Sequence, residues 1–199
     1  MHFDVLPVMA LFVFVTSVTP GPNNMMLLAS GVNFGYKKTL WHLAGISFGH
    51  FIMLMAVGNG LETIFTVYPI TYQIMKIIGL IYLIYLAIKI VRSNTIDDHN
   101  ENRAQPLSFF GAAAFQWVNP KAWMMSIGFF SNYMPEEASF LFVIISCAMF
   151  SCVNFPTINL WAGLGTKMVK YLLDTRKRTI FNWTMASLLV VTMIPAFFI

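Results

Sequence analysis

The stretch Thr19-Pro20-Gly21-Pro22-Asn23-Asn24 lies near the middle of a long apolar segment and decides how this chain can fold. Proline has no backbone N–H, so the two prolines in a helix free the carbonyls of Thr16 and Val18. Gly21 lets the backbone leave helical angles between them. In lipid each unpaired backbone group is expensive, so this stretch is expected to face protein or a water-filled cavity.

The composition of the whole chain places this stretch in a membrane. Of 199 residues, 58% are apolar and 10% are charged, whereas about 25% are charged in a typical soluble domain. A membrane-spanning helix needs about 20 mostly apolar residues, so the chain can supply roughly five or six spans. The longest strongly polar stretch, residues 92–105, is too short to fold alone. An ordinary soluble protein and a separate catalytic or nucleic-acid-binding domain are therefore excluded.

Hydropathy windows of about 19 residues predict six transmembrane helices joined by short loops. The long apolar runs show no period-2 alternation, which excludes an outer-membrane barrel and predicts an all-α integral membrane protein. The start of the chain, residues 1–4, lacks the basic region of a secretory signal, so the first span is expected to be retained. Trp41 and His42 are interpreted as interfacial anchors of the second span. The six predicted spans cover residues 5–30, 39–57, 69–91, 107–133, 139–164 and 179–199.

The basic residues predict the orientation of the spans. Ten of the 12 Lys and Arg residues lie in or beside alternate loops, whereas the intervening loops carry Glu62, Glu136 and Glu137. By the positive-inside rule, the loops rich in Lys and Arg are cytoplasmic and both termini are outside. Because these basic residues lie beside spans and are interrupted by acids, nucleic acid is not expected as a partner. The ten are Lys37, Lys38, Lys89, Arg92, Arg103, Lys167, Lys170, Arg176, Lys177 and Arg178.

The polar linker divides this single polytopic domain into two halves of three predicted spans, residues 1–92 and 107–199, with residues 93–106 between them. An odd number of crossings reverses the second half, which gives the 3+3 inverted repeat of many secondary transporters. One correspondence favours this plan, because Asn119-Pro120-Lys121 breaks the fourth span as Pro-Gly-Pro breaks the first. Pro22 and Pro120 stand 98 residues apart, close to half the chain.

The half-helix that restarts after Pro22 is the first candidate binding element. Asn23 and Asn24 are placed to cap it. Its N-terminus carries free N–H groups and a partial positive charge, which suit a carboxylate. The alternative is a kink whose carbonyls are bonded by Thr16 or Ser17. A lone proline would favour the kink, whereas Pro-Gly-Pro-Asn-Asn at midspan favours a break at a substrate site.

Lys121, near the middle of the fourth span, is the second candidate. A cation at that depth costs about 2.5–3.5 kcal/mol on insertion scales, and such residues usually face the bundle interior and serve function. No Asp or Glu lies in the core of any predicted span to neutralise it. Either backbone carbonyls freed by the prolines, such as that of Gln116, hold the ammonium, or an anionic ligand does.

His50, near the centre of the second span, is the only midspan group that titrates near neutral pH and is therefore a candidate proton carrier. A hydrogen-bonded core histidine is the alternative. The same span carries a G-x-x-x-G run, residues 45–49, which predicts close helix contact. Asn154 and Asn159 give the fifth span a polar patch. Because both breaks and the histidine lie near the middles of their spans, they are predicted to share one level in the bilayer.

Further motifs follow the first break in order along the chain. They are Leu43-Ala44-Gly45 with Gly49, Gly79 with Tyr82-Leu83 and residues 85–89, and Pro106-Leu107-Ser108-Phe109 with Asn119-Pro120-Lys121. Together with the first break they resemble the LysE/RhtB family of amino-acid exporters. The resemblance runs from the first span through the fourth, and Pro-Gly-Pro is its most specific element. The Pro-Gly-Pro-Asn-Asn form is similar to the branch that exports cysteine and O-acetylserine.

The resemblance implies a bacterial inner-membrane protein that expels amino acids or close derivatives, is driven by the proton gradient and can form a homodimer. Many members carry an acid in the second span near the position of His50. We expect no cofactor and no metal. The predicted substrate-binding residues are Pro20, Gly21, Pro22, Asn23, Asn24, Asn119, Pro120 and Lys121, with His50 for proton coupling and Thr16, Gln116, Asn154 and Asn159 as secondary polar lining.

Two other classes of function stay open at this stage. A membrane enzyme or electron-transfer subunit needs a nucleophile, a set of cofactor ligands or a C-x-x-C motif, and none stands in a plausible array. Cys147 and Cys152 would differ by about 140° around a helix, cannot bridge each other and are interpreted as core residues. Residues 163–167 lack P-loop spacing, so ATP-driven pumping is not expected. A passive channel is the third hypothesis.

Overall fold

The structure is a computed structural model that describes residues 6–93, 105–135, 138–192 and 194. Most of the predicted linker, Arg103 within it, and the loop acids Glu136 and Glu137 lie outside the described residues. All regular structure in the described residues is helical, as predicted. The helices are α1 (Leu6–Val18), α2 (Pro22–Phe34), α3 (Tyr36–Gly58), α4 (Thr63–Val67), α5 (Pro69–Arg92), α6 (Phe109–Gln116), α7 (Pro120–Tyr133), α8 (Phe140–Met168) and α9 (Thr175–Val191), with one 3-10 turn at Val169–Tyr171.

Three of these helices are long and apolar enough to cross a membrane, namely α3, α5 and α8 together with its following turn. The pair α1 and α2, bent by 57° relative to each other, meets the same criteria together and is a fourth candidate if it forms one broken span. These four correspond to the predicted spans 39–57, 69–91, 139–164 and 5–30. The pair α6 and α7 and the helix α9 overlap the two remaining predicted spans, so the total of six stays a prediction.

Each proline-containing break begins a new half-helix. Pro22 is the first residue of α2 and follows Gly21, whose backbone is extended (φ −170°, ψ 177°). Pro120 is likewise the first residue of α7 and follows Asn119. Proline suits this position, because the N–H group that it lacks would have no partner within the helix. The chain therefore leaves and re-enters helical geometry twice, at the two positions that the sequence indicates.

Helices α2 and α8 approach each other closely through two glycines. A Cβ atom at Gly165 of α8 would lie 2.2 Å from the carbonyl oxygen of Leu28. A Cβ atom at Gly31 of α2 would lie 2.3 Å from the carbonyl oxygen of Ala162. Small residues allow such backbone contact between membrane helices. The first broken span is thus held against α8 along its second half.

Helices α3 and α6 meet in the same way. A Cβ atom at Gly45 would lie 2.3 Å from the carbonyl oxygen of Phe109, and one at Gly49 would lie 2.5 Å from that of Ala113. The predicted close contact of the G-x-x-x-G run is therefore confirmed, and its partner is the first half of the broken span α6–α7.

The outer surface of α5 is suited to lipid. Apolar side chains that are exposed along one helix face match a hydrocarbon environment, since a soluble protein rarely exposes so large an apolar patch. The isoleucines on this face are between 43% and 64% exposed. They are Ile70, Ile74, Ile77, Ile78, Ile81, Ile84 and Ile88.

Replacing Gly165 with alanine tests the contact of α2 with α8. Gly165→Ala is expected to lower the midpoint of thermal unfolding in detergent by several degrees, because the new methyl group would meet the Leu28 carbonyl at 2.2 Å. The matched control is Gly163→Ala, where a Cβ atom meets nothing within 4 Å. Alanine favours a helix by about 1 kcal/mol over glycine, so this control should be neutral or stabilising. The midpoint is measured by circular dichroism. Equal midpoints for Gly165→Ala and Gly163→Ala would contradict the close contact of α2 with α8.

Candidate functional site

The Lys121 ammonium connects the two broken spans. Its Nζ donates to the carbonyl oxygen of Thr19 at 2.6 Å and to the Thr19 hydroxyl at 2.9 Å, and lies 3.4 Å from the carbonyl oxygen of Pro20. The last carbonyls of a helix have no partner within it, and this end carries a partial negative charge. Of the two predicted alternatives, backbone carbonyls or an anionic ligand, the structure shows backbone carbonyls at the Lys121 ammonium. They belong to the end of α1 and not to Gln116.

Gly21 makes room for this lysine. A Cβ atom at position 21 would lie 2.5 Å from Cδ and 2.9 Å from Nζ of Lys121. Any larger side chain would push the ammonium away from Thr19. The glycine between the two prolines thus has a second use, which is to let a side chain from α7 cross the break.

A buried hydrogen-bond network ties the end of α1 to α2 and α8. Asn24 Nδ2 donates to the carbonyl oxygens of Ser17 and Thr19, both at 2.8 Å. Asn154 Nδ2 donates to the Ser17 hydroxyl at 2.8 Å. Ser17, Asn24 and Asn154 are all buried, and buried polar groups need such partners. The network satisfies carbonyls that the break leaves without helical partners.

The predicted capping role of Asn23 and Asn24 is wrong. Because Pro22 takes the first helical position, the N-cap falls on Gly21, and no side chain makes a cap hydrogen bond. The two asparagines lie inside the first turn, where Asn24 bonds the end of α1. The first N–H groups of a helix have no intrahelical partner, and no side chain caps those at the start of α2.

A pair of amide side chains joins the two breaks a second time. Asn23 Nδ2 donates to Gln116 Oε1 at 2.8 Å, and Gln116 Nε2 donates back to Asn23 Oδ1 at 3.2 Å. Gln116 Nε2 also donates to the carbonyl oxygen of Ala112 at 2.9 Å. Since Gln116 is fully buried, this pair fixes the end of α6 against the start of α2.

His50 faces the same region from α3. Its Nε2 lies 3.2 Å from the Ser126 hydroxyl, and that hydroxyl donates to the carbonyl oxygen of Ala122 at 2.9 Å. Which of the two atoms donates depends on the tautomer of the imidazole. The ring of Phe150 stands edge-on to the imidazole with centroids 5.0 Å apart. His50 is therefore both a hydrogen-bonded buried histidine and a residue of the site.

These side chains surround a cavity of about 30 Å³. That volume holds about two water molecules. An amino acid is several times larger, so binding requires the surrounding helices to separate. The lining residues are Ser17, Gly21, Asn23, Asn24, His50, Gln116, Asn119, Lys121, Ala122, Met125, Asn154 and Ile158.

Several predicted residues do not line this cavity. The Thr16 hydroxyl donates to the carbonyl oxygen of Phe12 in its own helix at 2.7 Å. Asn159 donates to the carbonyl oxygen of Phe155 at 2.8 Å and accepts from the Tyr36 hydroxyl at 2.7 Å, away from the breaks. The three prolines Pro20, Pro22 and Pro120 shape the breaks without facing the cavity.

Two polar residues were missed by sequence reasoning. Ser17 lines the cavity, and its signal was a hydroxyl two residues before the first proline. Lys76 of α5 is 3% exposed, and its Nζ lies 4.4 Å from the centroid of the Tyr72 ring, a distance typical of a cation–π contact. The signal for Lys76 was a lone lysine inside the third predicted span.

The chain is similar to known membrane translocators over nearly its whole length. The family model described as LysE type translocator matches residues 14–194, which include both breaks and every residue that lines the cavity. Cysteine/O-acetylserine efflux proteins of Escherichia coli, Shigella sonnei and Shigella flexneri are 26% identical over 155 residues, covering 77% of this chain and 78% of each relative. No solved structure matches the chain.

Two asparagines of α8 provide a matched test of the buried network. Asn154→Leu is expected to lower the midpoint of thermal unfolding in detergent, because it leaves the buried Ser17 hydroxyl without its donor, at a cost of about 1–3 kcal/mol. Asn159→Leu changes the same residue type on the same helix but removes only the partly exposed hydrogen bonds to Tyr36 and to the carbonyl oxygen of Phe155. Its midpoint should stay close to that of the native protein, and equal losses would contradict a special role of Asn154.

Proposed function

We propose that this chain, which belongs to the LysE type translocator family, is a multi-pass bacterial inner-membrane protein that exports amino acids or close derivatives as a secondary transporter. Proteins of this family are transporters, so the chain is not an enzyme. The observation that carries the proposal is that the Lys121 ammonium and the first turn of α2, which line one cavity, meet the carbonyls of Thr19 and Pro20 at the end of α1. This set of groups is complementary to an amino acid, which carries one carboxylate and one ammonium.

The two charged groups of the substrate are assigned to opposite helix ends. The carboxylate would bind the N-terminus of α2 and the Lys121 ammonium, because both are positive. The substrate ammonium would bind the carbonyls of Thr19 and Pro20, which now hold Lys121. Binding would then move the lysine from the carbonyls to the carboxylate. Broken helices at midspan are used in this way by many secondary transporters.

The pattern of helix contacts supports a 3+3 inverted repeat, with residues 1–92 and 107–199 as its halves. The first broken span, α1 and α2, contacts α8, whereas the second broken span, α6 and α7, contacts α3. The third helices of the halves, α5 and α9, contact each other. Each broken span therefore lies against the second span of the opposite half, as a pseudo-twofold relation requires.

The same pattern supports alternating access to the cavity. The backbone contacts through Gly31, Gly165 and Gly45 lie toward the basic loops, whereas the contact through Gly49 lies near the centre of α3. Toward the other side, Gly58 of α3 faces the side chain of Phe130 instead of backbone. By the positive-inside rule the basic loops are cytoplasmic. We assign the glycine contacts to the cytoplasmic gate, which must open to load the substrate.

Proton antiport is assigned to His50. Among the described residues that line the cavity, it is the one side chain that ordinarily titrates near neutral pH. It lies beside α7 through its hydrogen bond to Ser126, so a change in its protonation alters a contact between a half-helix and α3. The imidazole can therefore couple proton uptake to movement of the break.

Substitution of Lys121 tests the substrate site. Lys121→Met is expected to reduce efflux of radiolabelled O-acetylserine from loaded cells to the level of cells without the protein, because the carboxylate loses its cation. Lys121→Arg keeps the charge and should retain partial efflux. The matched control is Lys167→Met, which removes an exposed lysine and should export normally. Unchanged efflux by Lys121→Met, at equal abundance in the membrane, would refute the assigned role.

Substitution of His50 tests coupling. In proteoliposomes with the acidic side opposite the substrate, the native protein is expected to move O-acetylserine against its gradient, and an ionophore that collapses the pH difference should stop this movement. His50→Gln should retain downhill exchange and lose uphill flux. Uphill flux by His50→Gln would exclude the histidine as the proton carrier. A native protein without uphill flux in any gradient would indicate the passive channel instead.

A further inference from the structure

A second cavity lies at the end of the bundle toward the basic loops. Its volume is about 40 Å³. Side chains of α2, α3, α5 and residues 105–107 line it. No described residue lines both cavities. The nearest lining residues along α2 are Asn24 of the central cavity and Met26 of this one, about 3 Å apart along the helix axis, so the two cavities are neighbours on this helix.

His42 is a buried side chain at this second cavity. Its side chain is 2% exposed, and neither Nδ1 nor Nε2 has a hydrogen-bond partner among the residues that the structure describes. The prediction that His42 is an interfacial anchor is therefore wrong, although its neighbour Trp41 is 71% exposed. Every state of an imidazole has at least one N–H donor, and buried polar groups almost always have partners. This histidine points to a ligand.

The other side chains of the cavity indicate the charge of that ligand. Lys89 of α5 lines the cavity beside His42, and the described lining residues include no Asp or Glu. An ammonium group in a partly buried site attracts an anion, because few waters remain to screen it. Lys89 and His42 together present donors to two oxygen atoms. A carboxylate fits this donor set.

The remaining polar groups form a bonded frame around the site. Asn33 Nδ2 donates to Asn182 Oδ1 at 2.9 Å, and Asn182 Nδ2 donates back at 3.3 Å and lies 3.3 Å from the Ser93 hydroxyl. The Ser30 and Thr39 hydroxyls are 2.8 Å apart. These side chains satisfy one another, so they hold the cavity in shape. Among the residues that the structure describes, His42 is left as the buried side chain at this cavity without a hydrogen-bond partner.

One face of α2 leads from this cavity to the central one. Asn23, Met26, Ser30 and Asn33 recur at intervals of three and four residues, which places them on one side of the helix. Asn23 lines the central cavity, and the other three line the second cavity. A molecule that leaves the second cavity along α2 would therefore reach the substrate site.

We propose that His42 and Lys89 form a loading site that binds the carboxylate of an amino acid before it enters the central cavity. The identity of the ligand as an amino acid rests on the proposed export function, whereas the preference for a carboxylate rests on the two side chains. The apolar residues Met26, Leu86 and Ile90 complete the lining and accommodate the rest of a small molecule.

Thiol labelling at position 93 tests the charge of the site without measuring transport. Ser93→Cys is made in a background with Cys147→Ser and Cys152→Ser, and is labelled with anionic sulfonatoethyl or cationic trimethylammonioethyl methanethiosulfonate. The labelling rate of each reagent is divided by the rate at which that reagent reacts with glutathione. The anionic reagent should react about tenfold faster, the lower end of electrostatic rate enhancement. Lys89→Met should abolish the preference and Lys89→Arg should keep it. Equal rates in the Lys89-containing protein would overturn the proposal.

The matched control for charge is Lys167→Met, an exposed lysine toward the same side of the bundle, which should leave the preference intact. Lys121→Met should leave it intact as well. A failure of the export function would therefore appear as unchanged efflux by Lys121→Met with normal labelling. A failure of the loading site would appear as absent charge preference with efflux still dependent on Lys121.

Protection experiments identify the ligand. O-acetyl-L-serine should slow labelling of Ser93→Cys, and its carboxamide, which lacks the carboxylate, should not. His42→Leu should remove this protection. Carboxylates of the chain itself are the other source of the same chemistry, and Asp97, Asp98 and Glu101 follow Ser93 in sequence. One result would refute the loading site. Neutralising these three acids would speed labelling by the anionic reagent, and O-acetyl-L-serine would not protect the protein in which the three acids are intact. The site would then bind a carboxylate of the chain itself.

Discussion

The structure depends on how carbonyl groups at the end of α1 are satisfied inside a membrane. Prolines at positions 20 and 22 stop the helix where water cannot supply hydrogen bonds, so protein groups must replace it. Lys121 donates to the Thr19 carbonyl from one side, and Asn24 donates to the Ser17 and Thr19 carbonyls from the other. The lysine belongs to the second broken span. One set of hydrogen bonds thus stabilises the first break and fixes the position of the second.

This arrangement makes the same groups structural and functional. The ammonium of Lys121 holds a position that the ammonium of an amino acid can take, because both donate hydrogen bonds to helix-end carbonyls. A substrate that displaces it must also provide a carboxylate for the released lysine. A free amine or a free acid supplies only one of these two groups. Exchange of this kind favours zwitterions over simpler solutes without requiring a large pocket.

The sequence was sufficient to place the breaks and to group His50 with them, because both depend on local chemistry. Proline and glycine act on their own backbone, and Lys121 and His50 could be located by counting along apolar spans. The partners of these groups were harder to infer, since they depend on which helices meet. The sequence allowed Gln116 to hold Lys121, whereas the structure gives that role to Thr19 and Pro20 and pairs Gln116 with Asn23. The second cavity could not be predicted at all, because a histidine near a span end is usually interfacial. The orientation, the six spans and a homodimer stay predictions.

A histidine at position 50 gives the central cavity a different net charge from the one that an acid at this position would give. An ionised acid at position 50 would be a full negative charge in the same cavity as Lys121, and opposite charges in a low-dielectric interior attract each other strongly. The acid would then neutralise the lysine before any substrate arrived. An imidazole carries no negative charge at neutral pH, so Lys121 stays with backbone carbonyls, which are dipoles rather than full charges. In the proposed export function, the substrate carboxylate is then the first full negative charge to reach Lys121 from solution. The described lining of the cavity contains no acid, and this absence lets the lysine recognise the carboxylate of an amino acid.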